Sequence, residues 1–162
     1  MPPGEERTRF VADAMLGSLA RKLRALGFET SYYKAGDDSG LLGIARSENR
    51  IVLTADRALA SRADALHLSV MQLAGKKDSR RVREIAESAK RMGIGLRRGD
   101  PLCSVCGGRL DAMKRAAVAG KVPRSVENRH RLFFKCATCG KHYWRGSHWK
   151  KLRSLSRLLE EK

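Results

Sequence analysis

Two Cys-x-x-Cys pairs, Cys103 with Cys106 and Cys136 with Cys139, constrain this chain more than any other feature. In a reducing compartment such pairs point to a metal ion before disulfides. Each pair is followed at once by a glycine, Gly107 or Gly140, which lets the chain turn tightly so that backbone amides face the sulfurs. Four thiolates complete a tetrahedral Zn²⁺ shell, and with no open position the zinc is expected to be structural. The spacer of 29 residues between the pairs is longer than the shortest ribbons need and reads as an inserted loop, Asp111 to Arg131. It carries the basic run Lys114, Arg115, Lys121, Arg124, Arg129 and Arg131. His130, His142 and His148 lie nearby as alternative ligands, but four thiolates already suffice.

Before the cysteines the pattern is that of alternating strands and helices. Arg9 to Asp13 (RFVAD) reads as a short buried strand, and Leu16, Leu19, Ala20, Leu23 and Leu26 then recur at helical spacing until Gly27. Phe28, Thr30 and Tyr32 alternate as a second strand, and the turn Lys34 to Asp38 leads into a helix carrying Leu41, Leu42, Ile44 and Ala45, with Asp37, Asp38 or Ser39 as its cap. Ile51 to Thr54 (IVLT) is a continuous apolar run of the kind found in central parallel strands, and a short helix through Leu59 follows. His67 to Met71 gives a fourth strand; Val82, Ile85, Ala86 and Ala89 mark a helix from Asp78, its candidate cap, to Met92. The fold class is therefore α/β, a parallel sheet flanked by helices. The Gly-, Arg- and Pro-rich stretch from Gly93 to Pro101 marks a linker, which divides the chain into an α/β domain over residues 8–95 and a zinc ribbon with a C-terminal helix over 101–162.

Charge narrows the partner. The chain has 34 Lys and Arg against 17 Asp and Glu, a net charge of +17. Residues 1–99 hold 19 basic and 12 acidic side chains, whereas 100–162 hold 15 and 5, so the smaller part carries more of the excess. An excess of this size repels itself unless a polyanion screens it, which makes nucleic acid the expected partner. No segment approaches the roughly 18 apolar residues of a membrane span and the first residues are polar, so a cytoplasmic protein with no membrane role is expected. After the second cysteine pair come Tyr143, Trp144, Arg145, His148, Trp149 and Lys150, aromatic residues interleaved with basic ones. Such a run stacks on unpaired bases while its cations reach phosphate; alternatively, Tyr143 and one tryptophan roof the zinc core. Lys151 to Leu159 continues as a basic amphipathic helix, with Leu152, Leu155, Leu158 and Leu159 on the side expected to dock against a domain.

Asp13 closes strand one, Asp37 and Asp38 follow strand two, and Asp56 follows strand three. The C-terminal ends of parallel strands share one edge, where open α/β folds place their sites. Acids gathered there in so basic a protein call for a hard cation, Mg²⁺ or Mn²⁺, and two such ions can promote phosphodiester hydrolysis. Each acid also has a structural alternative: Asp37, Asp38 and Asp56 can serve only as helix caps. Thr54 is placed to orient a carboxylate or a water, or is an ordinary strand threonine. Arg21, Lys22 and Arg24 on the first helix, with Arg57 beside the acids, are candidates for phosphate contact.

The segments VADAMLGSLARKLRALGFET, DD ahead of LLGIA, RIVLTADRAL, and the paired cysteine knuckles with YWRGSHW together resemble the Mut-seven C-terminal RNase family over Arg9 to about Arg153. That family joins a PIN-like nuclease domain to a zinc ribbon. The resemblance implies a PIN-like sheet whose acids bind Mg²⁺ or Mn²⁺ and hydrolyse RNA. By position, Asp13 fits the acid after the first strand, Asp38 or its neighbour Asp37 the acid before the second helix, and Asp56 the acid of the threonine-x-aspartate motif. The fourth acid of many PIN nucleases has no evident counterpart, Asp64 and Asp78 being the nearest candidates. A rival reading is a non-cleaving factor that sits on ribosomal RNA or the ribosome through its basic surface and ribbon. A DNA nuclease is disfavoured, since no helix presents itself for the major groove. The sequence specifies no oligomeric state.

Overall fold

The computed structural model describes residues 6–160. Strands β1 (Arg9–Ala12), β2 (Glu29–Tyr32), β3 (Ile51–Thr54) and β4 (Val70–Gln72) form one sheet in the order β2-β1-β3-β4. All neighbours are parallel, with Arg9 in register with Glu29 and Ala12 with both Tyr32 and Leu53. Helices α1 (Gly17–Ala25), α2 (Asp38–Ser47), α3 (Arg57–Ala65) and α4 (Asp78–Arg91) make the connections. Because side chains alternate along a strand, Phe10, Ala12, Ile51 and Leu53 face one core together with Leu16, Leu19, Leu23, Val82 and Ile85. Val11 and Val52 face the other, under Leu41, Leu42, Leu59 and Ala63. Helices α1 and α4 thus cover one face of the sheet, and α2 and α3 the other.

Two local readings shift. His67 adopts φ 56°, in the left-handed region, so the fourth strand starts later, at Val70. Asp78 does not cap α4; it is the helix's first residue, and its carboxylate accepts from Ser18 Oγ at 2.7 Å, Lys22 Nζ at 2.5 Å and Arg81 at 3.3 Å. Burial pushes the pKa of this carboxyl up, but the bonds from Lys22 and Ser18 outweigh it and hold the pKa below the ordinary value.

The segment after α4 runs back along the sheet domain. Arg97 O accepts from Thr8 N at 2.9 Å, Gly99 N donates to Gly27 O at 2.9 Å, and Leu102 N donates to Arg24 O at 2.9 Å. Gly27 has φ +95°, and a Cβ there would lie 2.1 Å from Gly99 O, so glycine is needed for both the helix stop and the close crossing. Beyond it, β5 (Leu110–Lys114), β6 (Leu132–Cys136) and β7 (His142–Trp144) form an antiparallel sheet in that order. The insert holds a 3₁₀ turn, Arg115–Val118, and α5 (Arg124–Arg129). Helix α6 (Ser147–Glu160) then leaves the ribbon and packs Leu152, Leu155, Leu158 and Leu159 against the core on the α1 and α4 side. Among the described residues no helix is long and apolar enough to cross a membrane.

Candidate acidic site and metal centre

From β1 the chain moves outward to β2 on one side and later returns to place β3 on the other, so the order of strands reverses between β1 and β3. Such a reversal opens a crevice at the carboxyl ends of the strands. Asp13 and Asp56 flank it. Asp13 is 7 % exposed; its Oδ1 accepts from Met15 N at 2.8 Å, and its Oδ2 accepts from Thr54 Oγ1 and, at 3.3 Å, from Ala55 N. The fully buried Thr54 hydroxyl in turn accepts from Asp56 N at 2.9 Å. One hydroxyl therefore ties the ends of β1 and β3 together and orients the Asp13 carboxylate. Asp56 Oδ1 accepts from Ala58 N at 2.7 Å and Leu59 N at 3.3 Å, capping α3, while Asp56 remains exposed. Met15 stands beside Asp13, 70 % exposed.

Asp37 and Asp38 divide their tasks. Asp37 caps α2, accepting from Gly40 N at 3.0 Å and from Tyr33 Oη at 2.7 Å. The Tyr33 bond, then the Gly40 amide, hold its pKa below the ordinary carboxylate value. Asp38, next along, accepts from Arg62 of α3 at 2.6 Å in a half-exposed ion pair. Asp64 is exposed on α3. Among the described residues the cysteines are the only set of three or more ligating side chains whose donor atoms all lie within 4.8 Å of one another; the acids share an edge but are spread more widely along it.

The cysteine site is compact. Cys103 Sγ lies 3.6 Å from Cys139 Sγ, and Cys106 Sγ lies 3.4 Å from Cys136 Sγ. These separations far exceed a disulfide bond of about 2.05 Å and approach the roughly 3.8 Å expected between sulfurs held about 2.3 Å from one tetrahedral zinc. Gly107 and Gly140 take φ +78° and +75° as each knuckle closes, and the amides of Gly108, Thr138 and Cys139 lie 3.4 Å from sulfur. Four thiols this close share protons unequally. Burial raises the Cys103 thiol, yet hydrogen bonds from Tyr143 and the Cys106 and Val105 amides bring it down to about 6. Cys106 is lowered by the Gly108 amide but pushed up, to about 12, by holding its proton toward Cys136, Cys103 and Cys139. A divalent cation removes this conflict, so the four cysteines form a set that can hold zinc.

Several candidates for RNA contact are placed differently from one another. Lys114, Arg115, Lys121, Arg124, Arg129 and Arg131 are exposed on the insert, with Arg115 donating to Asn128 at 3.1 Å. The Tyr143 hydroxyl turns inward, 3.0 Å from Cys103 Sγ, so it roofs the sulfur site. Trp144 is half-buried, His148 and Lys150 are exposed, and Arg145 lies over the Trp149 ring at 5.2 Å. Near the acids, Arg21 and Arg57 are exposed, while Lys22 pairs with Asp78.

Arg24 is a correction. Grouped by sequence with phosphate-contacting residues, it is only 8 % exposed, donating from Nε to Thr30 O at 2.7 Å and from a terminal nitrogen to Val105 O at 2.8 Å. It ties the first cysteine knuckle to β2 and is not free for RNA. The signal was present in the spacing: Arg24 follows Ala20 and Leu23 at the fourth and first positions, on the buried stripe of α1. Because α1 runs back from the acidic edge to the start of β2, Arg24 also fixes the ribbon at the opposite end of the sheet from Asp13 and Asp56.

The family model described as Mut7-C RNAse domain matches residues 8–156. No curated protein and no solved structure gives a significant match. The matched span takes in the four-stranded sheet, the acidic edge, the cysteine site and most of α6, and the chain belongs to the Mut7-C RNAse domain family.

Proposed function

We propose that this chain is a metal-dependent ribonuclease that hydrolyses RNA phosphodiesters at the Asp13–Asp56 edge, with a structural zinc in the ribbon. The observation that carries this reading is the Thr54 hydroxyl bridge between Asp13 and the Asp56 amide at the point where strand order reverses. Asp13, Asp38 and Asp56 offer hard oxygen donors, and Mg²⁺ is commonly held by one or two carboxylates, waters and substrate phosphates, which suits acids spread along an edge. When bound there, the ion supplies charge stabilisation at the phosphate and acidifies water. Thr54 fixes the Asp13 carboxylate, and the free Asp56 oxygen points from a helix start toward solvent. The Asp38–Arg62 pair is exposed, and such pairs contribute only about 0–1 kcal/mol, so Asp38 is readily released to a cation or Arg62 to a phosphate.

The test is cleavage of labelled single-stranded and stem-loop RNA with Mn²⁺ or Mg²⁺. Losing even an outer partner of a metal ligand typically costs 10- to 100-fold, so Asp13→Asn, which replaces a direct donor, is expected to slow cleavage by about a hundredfold or more. The asparagine leaves one donor facing Thr54 Oγ1 or Met15 N without an acceptor, a cost of about 1–2 kcal/mol. At about 2–4 °C per kcal/mol the melting point should fall by roughly 2–8 °C, leaving the protein folded at the assay temperature. RNA left intact by the wild type under both metals, with the variant indistinguishable, sinks the nuclease reading.

A second reading, a non-cleaving factor on ribosomal RNA, draws on the exposed basic insert of the ribbon. Sedimentation of cell extract separates the two: stoichiometric ribosome association unaffected by Asp13→Asn supports the binding factor.

A further inference from the structure

Helix α6 does more than cover the core. Its other long side encloses, with residues 98–101 and the end of α1, a cleft of about 590 Å³ lined by Arg98, Arg145, Arg153, Arg157 and Trp149. That volume lies within the roughly 300–1,000 Å³ of clefts that accept small ligands or parts of larger ones. The walls are fixed. Four leucines seat α6 on the core, and Arg98 donates to Ser156 Oγ at 2.5 Å and to the Glu160 carboxylate. Glu160 thereby neutralises Arg98 alone. Arg153 and Arg157 are exposed, one helical turn apart on the same side, and have no ion-pair partner among the described residues. Like charges at this spacing disfavour a helix, and the arrangement becomes favourable when an anion lies between them.

We propose that this cleft is a second RNA-binding site, which grips the phosphodiester backbone of a single strand away from the acidic edge. The proposal rests on the reading of RNA as substrate and adds where the strand is held. Guanidinium groups match phosphate oxygens in pairs, and Arg145 over Trp149 offers a flat cationic surface beside the indole against which an unpaired base can lie. Ala25 and Leu26 at the end of α1 place the cleft at the end of the sheet where β2 begins, opposite Asp13. Four-residue strands separate the two ends by about 13 Å at roughly 3.3 Å per residue. At about 3.4 Å per stacked nucleotide, a strand reaching both sites needs at least about four nucleotides.

The experiment measures binding of a fluorescein-labelled 12-nucleotide single-stranded RNA by anisotropy, using the full zinc-loaded chain without added Mg²⁺ or Mn²⁺, over a KCl series. Arg153→Gln with Arg157→Gln is compared with Arg46→Gln with Arg83→Gln, which removes the same charge from exposed positions on α2 and α4. Each lost phosphate contact lowers the salt slope of a single-strand complex by about 0.7, so the cleft variant is expected to bind about tenfold more weakly at 0.1 M salt with a slope shallower by about 1.4. The comparison variant should stay within about twofold of wild type. Melting curves confirm that both variants are folded. If the cleft variant binds like wild type, or no worse than the comparison variant, the cleft proposal is overturned while RNA binding stands. If the wild type itself shows no salt-dependent RNA binding, the substrate reading fails and the cleft proposal with it.

Discussion

Cys136→Ser is expected to empty the ribbon of zinc and unfold it, the largest single effect we foresee. The buried residues of the ribbon are few, Val118, Phe133 and the cysteines Cys103 and Cys136, too little apolar area to hold an antiparallel sheet by itself. In small zinc domains the metal's apparent binding free energy, about 10–16 kcal/mol near neutral pH, is in effect the folding free energy. Removing one of four thiolates forfeits much of it. Zinc measured by mass spectrometry should fall from about one per chain to less than about a tenth, and amide exchange across β5, β6 and β7 should become fast. Strands β1 to β4 should stay protected, because their two cores contain no ribbon residue. A variant with wild-type zinc content and slow exchange in β6 would show that the cysteines hold the ribbon without metal.

Arg24→Leu should be the next largest effect, by a different route. The guanidinium is pushed down in pKa by burial, an effect opposed by the nearby Cys106 and Cys103 thiols. Four thiolates around one Zn²⁺ carry a net double negative charge, so a loaded site strengthens that opposition and gives Arg24 an ionic partner. Leucine fills the volume but leaves Thr30 O and Val105 O without their donor. Hydrogen bonds from charged groups contribute about 1.5–3 kcal/mol each, so a loss of about 3 kcal/mol and a melting point lower by roughly 6–12 °C are expected. Lysine should recover only part of this, since it cannot fork between two carbonyls. The discriminating readout is the zinc affinity of Arg24→Leu: weaker retention against a chelator is expected, and retention equal to wild type would confine the arginine to a packing role.

The sheet could be read from the sequence because its central strands are buried on both faces. IVLT at 51–54 is the full extent of β3, and the leucine spacing of α1 and α4 follows from a single covered side for each helix. The edge strand β4 was less legible, since its polar neighbours and the left-handed His67 blur the start. At the acidic edge, chain order places Asp13, Asp38 and Asp56 near the ends of their strands. It does not tell that Asp38 meets Arg62 or that Thr54 reaches Asp13, because both contacts join residues of separate elements. The leucines of α6 announced a docking helix, but nothing in the spacing named its partner as the core beneath α1 and α4. Arg24 was misjudged because charge was weighed before position on the helix.

The path of α6 bears on how the molecule is made. One core takes side chains from Phe10 and also from Leu158 and Leu159, so its cover is synthesised some 150 residues after its first strand. During translation the sheet must wait with an apolar flank open, and a growing chain folds from its N-terminus outward only as far as contacts are present. Closure between such distant residues is slow. Nascent chains halted before residue 147 should therefore be protease-sensitive and bind chaperones, whereas those that have released α6 should lock into the protected state together.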